Sequence, residues 1–129
     1  MHTNALRAAT IAVGVDGGET SWRALSRAVN LCGYGSRLSV CVVQGPREQS
    51  SLEPLLDGVR RMLIEHLLTA SVTPLDGEPW SALVAHAREI TADLLVVGRT
   101  RAPAEAPHLD ASFEAALLAT APCDLLVVG

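Results

Sequence analysis

One hexapeptide, DLLVVG, occurs twice, at 93–98 and at 124–129. It limits what this chain can fold into more than any other stretch does. A run of Leu-Leu-Val-Val has no polar face to turn to water, so a strand made from it needs cover on both sides. Strands of that kind belong to parallel sheets with crossover helices on both faces. The two copies therefore answer one burial demand and are not a repeat architecture. TIAVGV at 10–15 and RLSVCVV at 37–43 read as two more strands. ASVTPL at 70–75 is a weaker one, because Pro74 lacks an amide hydrogen and confines it to an edge or a short segment.

Helical patterns separate these strands. In Glu19–Cys32, Trp22, Leu25, Val29 and Leu31 fall near helical spacing, and Gly33 ends the run. In Leu52–Thr69, Leu55, Leu56, Val59, Leu63 and Leu67 fall near one face. Pro79–Ile90 has its proline in the first turn, where the missing N–H costs nothing. Ser112 is the expected cap of a fourth helix, Phe113–Ala121, with Pro122 beyond its end. Strict alternation of strand and helix with short links implies right-handed crossovers and a parallel sheet. Ligands bind such sheets outside the carboxyl ends of the strands, where the strand order reverses. If the first and fourth strands are neighbours there, Asp16 and Gly98 face one crevice.

Composition narrows the function classes. The 129 residues fit a single domain, 1–129, and 49% hydrophobic against 19% charged residues describes a globular chain. A net charge of −4 gives no footprint for nucleic acid or for an anionic membrane. Only 3% of residues are aromatic, which leaves little for stacking on bases. Cys32, Cys41 and Cys123 are widely spaced with no CxxC, so reduced thiols in a cytoplasmic protein fit better than disulfides or zinc. No segment has the apolar length to span a bilayer, and the apolar run after Arg7 reads as a strand entering a turn rather than a signal peptide.

Four stretches resemble the universal stress protein family: IAVGVDGGETSWRALSRAV, LSVCVV, GEPWSALVAHAREITADLLVVGRT and ATAPCDLLVVG. Together they cover nearly the whole chain in the family's order. The resemblance implies a three-layer α/β/α sandwich with a five-stranded parallel sheet in order 3-2-1-4-5. That fold is Rossmann-like, of the adenine nucleotide alpha hydrolase-like kind. It also implies a stress-response or regulatory module that forms a homodimer through its C-terminal edge strand. A further protein partner fits such a role.

One branch of that family binds ATP through a glycine-rich loop after the fourth strand. The register of that loop survives here in GRTRAPAEAPHLDAS, 98–112. Gly98 keeps the first glycine, Arg101 stands where the second belongs, and Ala111-Ser112 stands where Gly-Ser belongs. Glycine in such loops permits positive φ or close backbone approach to phosphate, and Arg101 works against both. Ser112 can still offer a hydroxyl at a helix N-terminus. By the same resemblance Asp16 would contact adenosine and Val42 would pack on adenine. From the residues alone, Asp16 also serves as a turn residue and Val42 as core. Arg99 and Arg101 could replace backbone amides as donors to an anion, or lie solvated in a loop.

The expectation is therefore weak or absent ATP binding and no resident cofactor. The alternative is an adenine-nucleotide binder whose loop is rebuilt around Arg99 and Arg101. No catalytic constellation is readable. His86 and Glu89 are too few for a metal, and His66 and His108 have no visible partner. DGGETS is similar to the pyrophosphate loop of ATP pyrophosphatases, but the remaining strands argue against that activity. There is no Walker lysine motif and no Gly-x-Gly-x-x-Gly.

Overall fold

A computed structural model describes residues 9–33, 35–43, 52–66, 70–76, 79–99 and 110–129. The elements run β1 (Thr10–Val15), α1 (Glu19–Leu31), β2 (Arg37–Val43), α2 (Leu52–Glu65), β3 (Ser71–Leu75), α3 (Pro79–Glu89), β4 (Leu94–Gly98), α4 (Asp110–Thr120) and β5 (Asp124–Val128). All five strands form one sheet in the order β3-β2-β1-β4-β5, and every adjacent pair is parallel. This is the order the family resemblance implies.

The strand pleat sends alternate residues to opposite faces and so builds two cores. Ile11, Val13, Val15, Leu38, Val40 and Val42 face α1 and α2, where they meet Ala24, Leu25, Val29, Leu56 and Val59. Ala12, Cys41, Val43, Leu95 and Val97 face the other way, toward Leu83, Val84 and Ala87 of α3 and Leu117 of α4. Helices thus cover both faces, as the continuous aliphatic strands require. Each fully buried Leu or Val contributes about 1.5–3 kcal/mol through removal from water.

The two DLLVVG copies end in different environments. β4 lies inside the sheet, and Leu95, Val96 and Val97 are buried. β5 lies at an edge, and Leu125, Leu126 and Val127 are only half-buried. The equal two-sided cover expected for both copies therefore holds for β4 alone. The aspartates diverge too. Asp93 clamps β4 to β1: its carboxylate accepts the Thr10 N–H at 2.8 Å, and its own N–H donates to the Thr10 carbonyl at 2.7 Å. Asp124 lies in register with Leu94.

Helix ends needed correction. α1 stops at Leu31, which is 46% exposed and lies off the apolar face. Its buried set is Ser21, Ala24, Leu25, Ala28 and Val29. α4 begins at Asp110, so Ser112 lies inside its first turn and is not the cap. α2 ends at Glu65, and Leu67 and Thr69 lie outside the described residues. After α3 the chain turns through Thr91 at φ 53°, an unusual conformation for a β-branched residue. On the α3 face the buried Ser39 hydroxyl lies 2.8 Å from His86 Nε2 and accepts a hydrogen bond from Ser71 at 3.1 Å.

Candidate functional site

The carboxyl ends of β1 and β4 are adjacent in the sheet, so Asp16 and Gly98 meet at one crevice. Asp16 opens the turn into α1. Its Oδ1 accepts the Gly18 N–H at 2.8 Å, and Gly17 takes φ 93°, a value that glycine adopts without strain. Ser21, buried in the first turn of α1, holds this turn from beneath. Its hydroxyl donates to the Gly18 carbonyl at 2.8 Å and accepts the N–H groups of Gly17 at 3.2 Å and Asp16 at 3.3 Å. The turn is fixed by one hydroxyl using its full bonding capacity.

Gly98 is required for a reason the loop pattern does not reveal. A Cβ built there would lie 2.4 Å from the Thr20 carbonyl carbon and 2.6 Å from the Ser21 nitrogen. The end of β4 thus runs directly against the backbone of the first turn of α1. Arg99 follows under equal constraint. Its N–H donates to the Val128 carbonyl at 2.7 Å, and its carbonyl accepts the Thr20 hydroxyl at 2.7 Å. Both backbone groups of the loop's first residue are already bonded within the protein. One turn along α1, Arg23 donates to the Gly129 carbonyl at 3.2 Å and pairs with Glu19 at 3.0 Å.

Two recesses result. One is an apolar slot of about 40 Å³ lined by Gly14, Val15, Val43, Leu83, Val97 and Gly98, with Asp16 at its mouth. The other, about 240 Å³, lies against Gly18, Glu19, Thr20 and Arg99. The carboxylate of Glu19 beside this second recess works against an anion there, while Arg99 favours one.

Of the candidate residues, Asp16, Gly98 and Arg99 gather at the crevice. Val42 does not. Its side chain is fully buried in the α1–α2 core, and its neighbour Val43 lines the slot instead. A shift of one residue along a strand exchanges faces, so the sequence pattern alone could not choose between the two valines. Arg101 lies outside the described residues. Ala111 and Ser112 are described only as backbone inside α4. Val43, Leu83, Gly14 and Thr20 escaped sequence reasoning. The small residues Ala12 and Gly14 on the α3-facing side of β1 were the available signal for a close α3 contact.

The remaining chemical groups lie elsewhere. His86 pairs with Ser39 rather than with Glu89. Ser39 and His86 are at a nucleophile–base distance. Ser39 is only 6% exposed, however, and sits in the first half of β2, away from the crevice. Burial pushes the Cys41 thiol up to about 12, opposed by a hydrogen bond with Ser39. Burial raises Cys32 and Cys123 as well, and for Cys123 the charges of Asp124 and Asp93 add to the effect. None of the three is poised as a thiolate. Among the described residues no group of three or more His, Cys, Asp or Glu could hold a metal, and no helix is long and apolar enough to cross a membrane.

Comparison with known proteins agrees with this architecture. The universal stress protein Rv1636 of Mycobacterium tuberculosis H37Rv is 29% identical over 138 aligned positions, covering 92% of this chain and 94% of that protein. Its crystal structure matches with a TM-score of 0.68 at 28% identity, over 95% of this chain and 97% of that one. A universal stress protein crystallised in complex with cAMP matches with a TM-score of 0.77 at 29% identity, over 94% of this chain and 96% of that chain. The family model itself aligns with residues 8–129, from the approach to β1 through the end of β5, and on that match the chain belongs to the universal stress protein family.

Proposed function

We propose that this chain is a single-domain, cytoplasmic regulatory module of the universal stress protein family that holds ATP weakly or not at all and pairs with a second copy through β5. The observation behind the ATP reading is the bonding of Arg99: its N–H is taken by Val128 and its carbonyl by Thr20. A triphosphate loop depends on free backbone donors, and here the first is committed to the protein. Glu19 at the larger recess and the bulk of Arg101 oppose a triphosphate further. No catalytic role is assigned, because the Ser39–His86 pair is closed to substrate.

The dimer reading rests on β5. Among the described residues it pairs on the β4 side alone, and Leu125, Leu126 and Val127 are half-buried. Pairing with a second copy would satisfy the backbone groups of its other side in a closed, symmetric way. Sedimentation equilibrium should report a dimer, and a monomer at high concentration refutes this part.

A second reading is favoured by the cAMP complex of a relative 29% identical to this chain. A cyclic monophosphate carries one charge and asks for fewer donors than ATP does. The guanidinium groups of Arg99 and Arg101 would supply them, with Asp16, Gly98, Ala111 and Ser112 completing the adenine-nucleotide site that the family pattern implies. Calorimetric titration with ATP-magnesium and with cAMP separates the readings. The first expects no heat from ATP, and the second expects micromolar affinity for one of the two. Arg101→Gly should tighten nucleotide binding under the first reading and weaken it under the second.

A further inference from the structure

A chain of three hydrogen-bonding groups runs from the surface into the α3-facing side of the sheet. Ser71, the first residue of β3, is exposed. Its hydroxyl donates to the hydroxyl of Ser39 in β2 at 3.1 Å. Ser39 is buried, and its oxygen lies 2.8 Å from Nε2 of half-buried His86 on α3. The Ser39–His86 pair is closed to substrate, but the chain that contains it ends on an exposed serine.

The bonding sets the direction in which a proton can move. A serine hydroxyl has one proton and two lone pairs. Ser39 accepts from Ser71, so its own proton is free for His86 Nε2, which takes it in the tautomer protonated at Nδ1. The Cys41 sulfur also bonds Ser39, but a thiol is a weaker acceptor than an imidazole nitrogen. A general base acts within about 2.6–3.2 Å of the proton it takes, or through one water. Ser39 fills the place of that water. It is also held there, because β2 and β3 keep Ser39 and Ser71 in register.

We propose that Ser71 is a covalent modification site: a nucleophile, served by His86 through Ser39, that takes the acyl group of an activated carboxylic ester. Ser71 Oγ attacks the ester carbonyl. Its proton passes to Ser39 as the proton of Ser39 passes to His86 Nε2. The C–O bond to the leaving group then breaks with its electron pair. The products are a Ser71 ester and the released alcohol or phenol, which recovers the proton from His86. The reaction needs neither the crevice nor a nucleotide. Competing nucleophiles are few: the chain has no lysine, and burial raises all three thiols.

The probe is p-nitrophenyl acetate on the full chain, with acetylation followed site by site by peptide mass spectrometry. Ser71 should be acetylated about tenfold or more faster than Ser81, a serine exposed on α3. Ser39→Ala and His86→Gln should each slow Ser71 by about tenfold or more and leave Ser81 unchanged. Ser39→Thr keeps a hydroxyl and should keep most of the rate. Equal rates at Ser71 and Ser81 in the parent overturn the proposal. So does a Ser71 rate that survives His86→Gln, and so does a Ser39→Thr protein as slow as Ser39→Ala. If a variant fails to give a cooperative melt, the ratio of Ser71 to Ser81 in the parent decides.

Discussion

Replacing Gly98 with alanine separates two reasons for a glycine at the start of the loop. If glycine serves only close approach to phosphate, Gly98→Ala leaves the ligand-free protein unharmed. The packing against α1 predicts otherwise. The new methyl would lie 2.4 Å from the Thr20 carbonyl carbon and 2.6 Å from both the Thr20 oxygen and the Ser21 nitrogen. All three are backbone atoms, so no rotamer change relieves the clash. Ordinary contact begins near 3.4 Å, so β4 and the first turn of α1 must separate by about 1 Å, an overpacking strain of about 1–3 kcal/mol. The same movement stretches the 2.7 Å bond from the Thr20 hydroxyl to the Arg99 carbonyl, which adds about 1 kcal/mol. A total near 3 kcal/mol is a large share of a typical stability of about 5–15 kcal/mol. For a chain of this length it lowers Tm by roughly 10 °C. Thermal denaturation followed by circular dichroism, without ligand, measures it. Gly33→Ala is the control, since its methyl would meet only the Ser36 hydroxyl at 3.8 Å. A Gly98→Ala protein melting within about 2 °C of the parent would refute the packing account.

Three further outcomes are expected. Thr91→Gly relieves the positive φ of 53° and should raise stability by up to about 1 kcal/mol, read as a higher urea midpoint; a lower midpoint counts against the strain. The protonated Cys41 thiol favours folding because its folded value is raised from 9.0 to about 12. That contribution is whole below the unfolded value and is lost as pH rises toward the folded one, so stability should fall across this window in the parent and less steeply in Cys41→Ala. Ser39→Ala removes the partner of both His86 and Ser71 and should cost about 1 kcal/mol in the same denaturation assay, whereas an unchanged midpoint would mean that water replaces it freely.

The sheet was legible because aliphatic runs leave so few choices. β1 begins and ends on β-branched residues, and β2 runs from Arg37 through its apolar residues to Val43. The order of strands came from the family pattern, since nothing in DLLVVG distinguishes the buried copy from the edge copy. The crevice was legible only in part. Asp16 and Gly98 follow from strand ends at a reversal point, a topological rule that needs no side-chain detail. Val43 instead of Val42 depends on the pleat phase at the last residue of β2. The close approach of the Leu83 methyls to Gly14, 3.0 Å from where a Cβ would stand, depends on how α3 crosses β1. Both are long-range matters of packing, and a single chain read in order does not display them. The start of α4 at Asp110 rather than beyond Ser112 shows the same limit locally, because several residues nearby are acceptable caps.

The hydroxyl pair on β2 and β3 bears on how the far edge of the sheet finds its register. Ser39 and Ser71 are register partners; the Ser71 hydroxyl donates to the Ser39 hydroxyl, which in turn meets His86. Slipping β3 by one residue would turn Ser71 to the α2 face and bring an apolar neighbour opposite Ser39, leaving that buried hydroxyl short of a partner. The correct pairing is thus marked by a polar key on a strand too short and weakly patterned to align itself by burial. Pro74, one residue before the end of β3 and in register with Val42, has no amide hydrogen to offer a pairing strand. One residue selects the right alignment, and the other makes the same strand a poor template for the wrong chain.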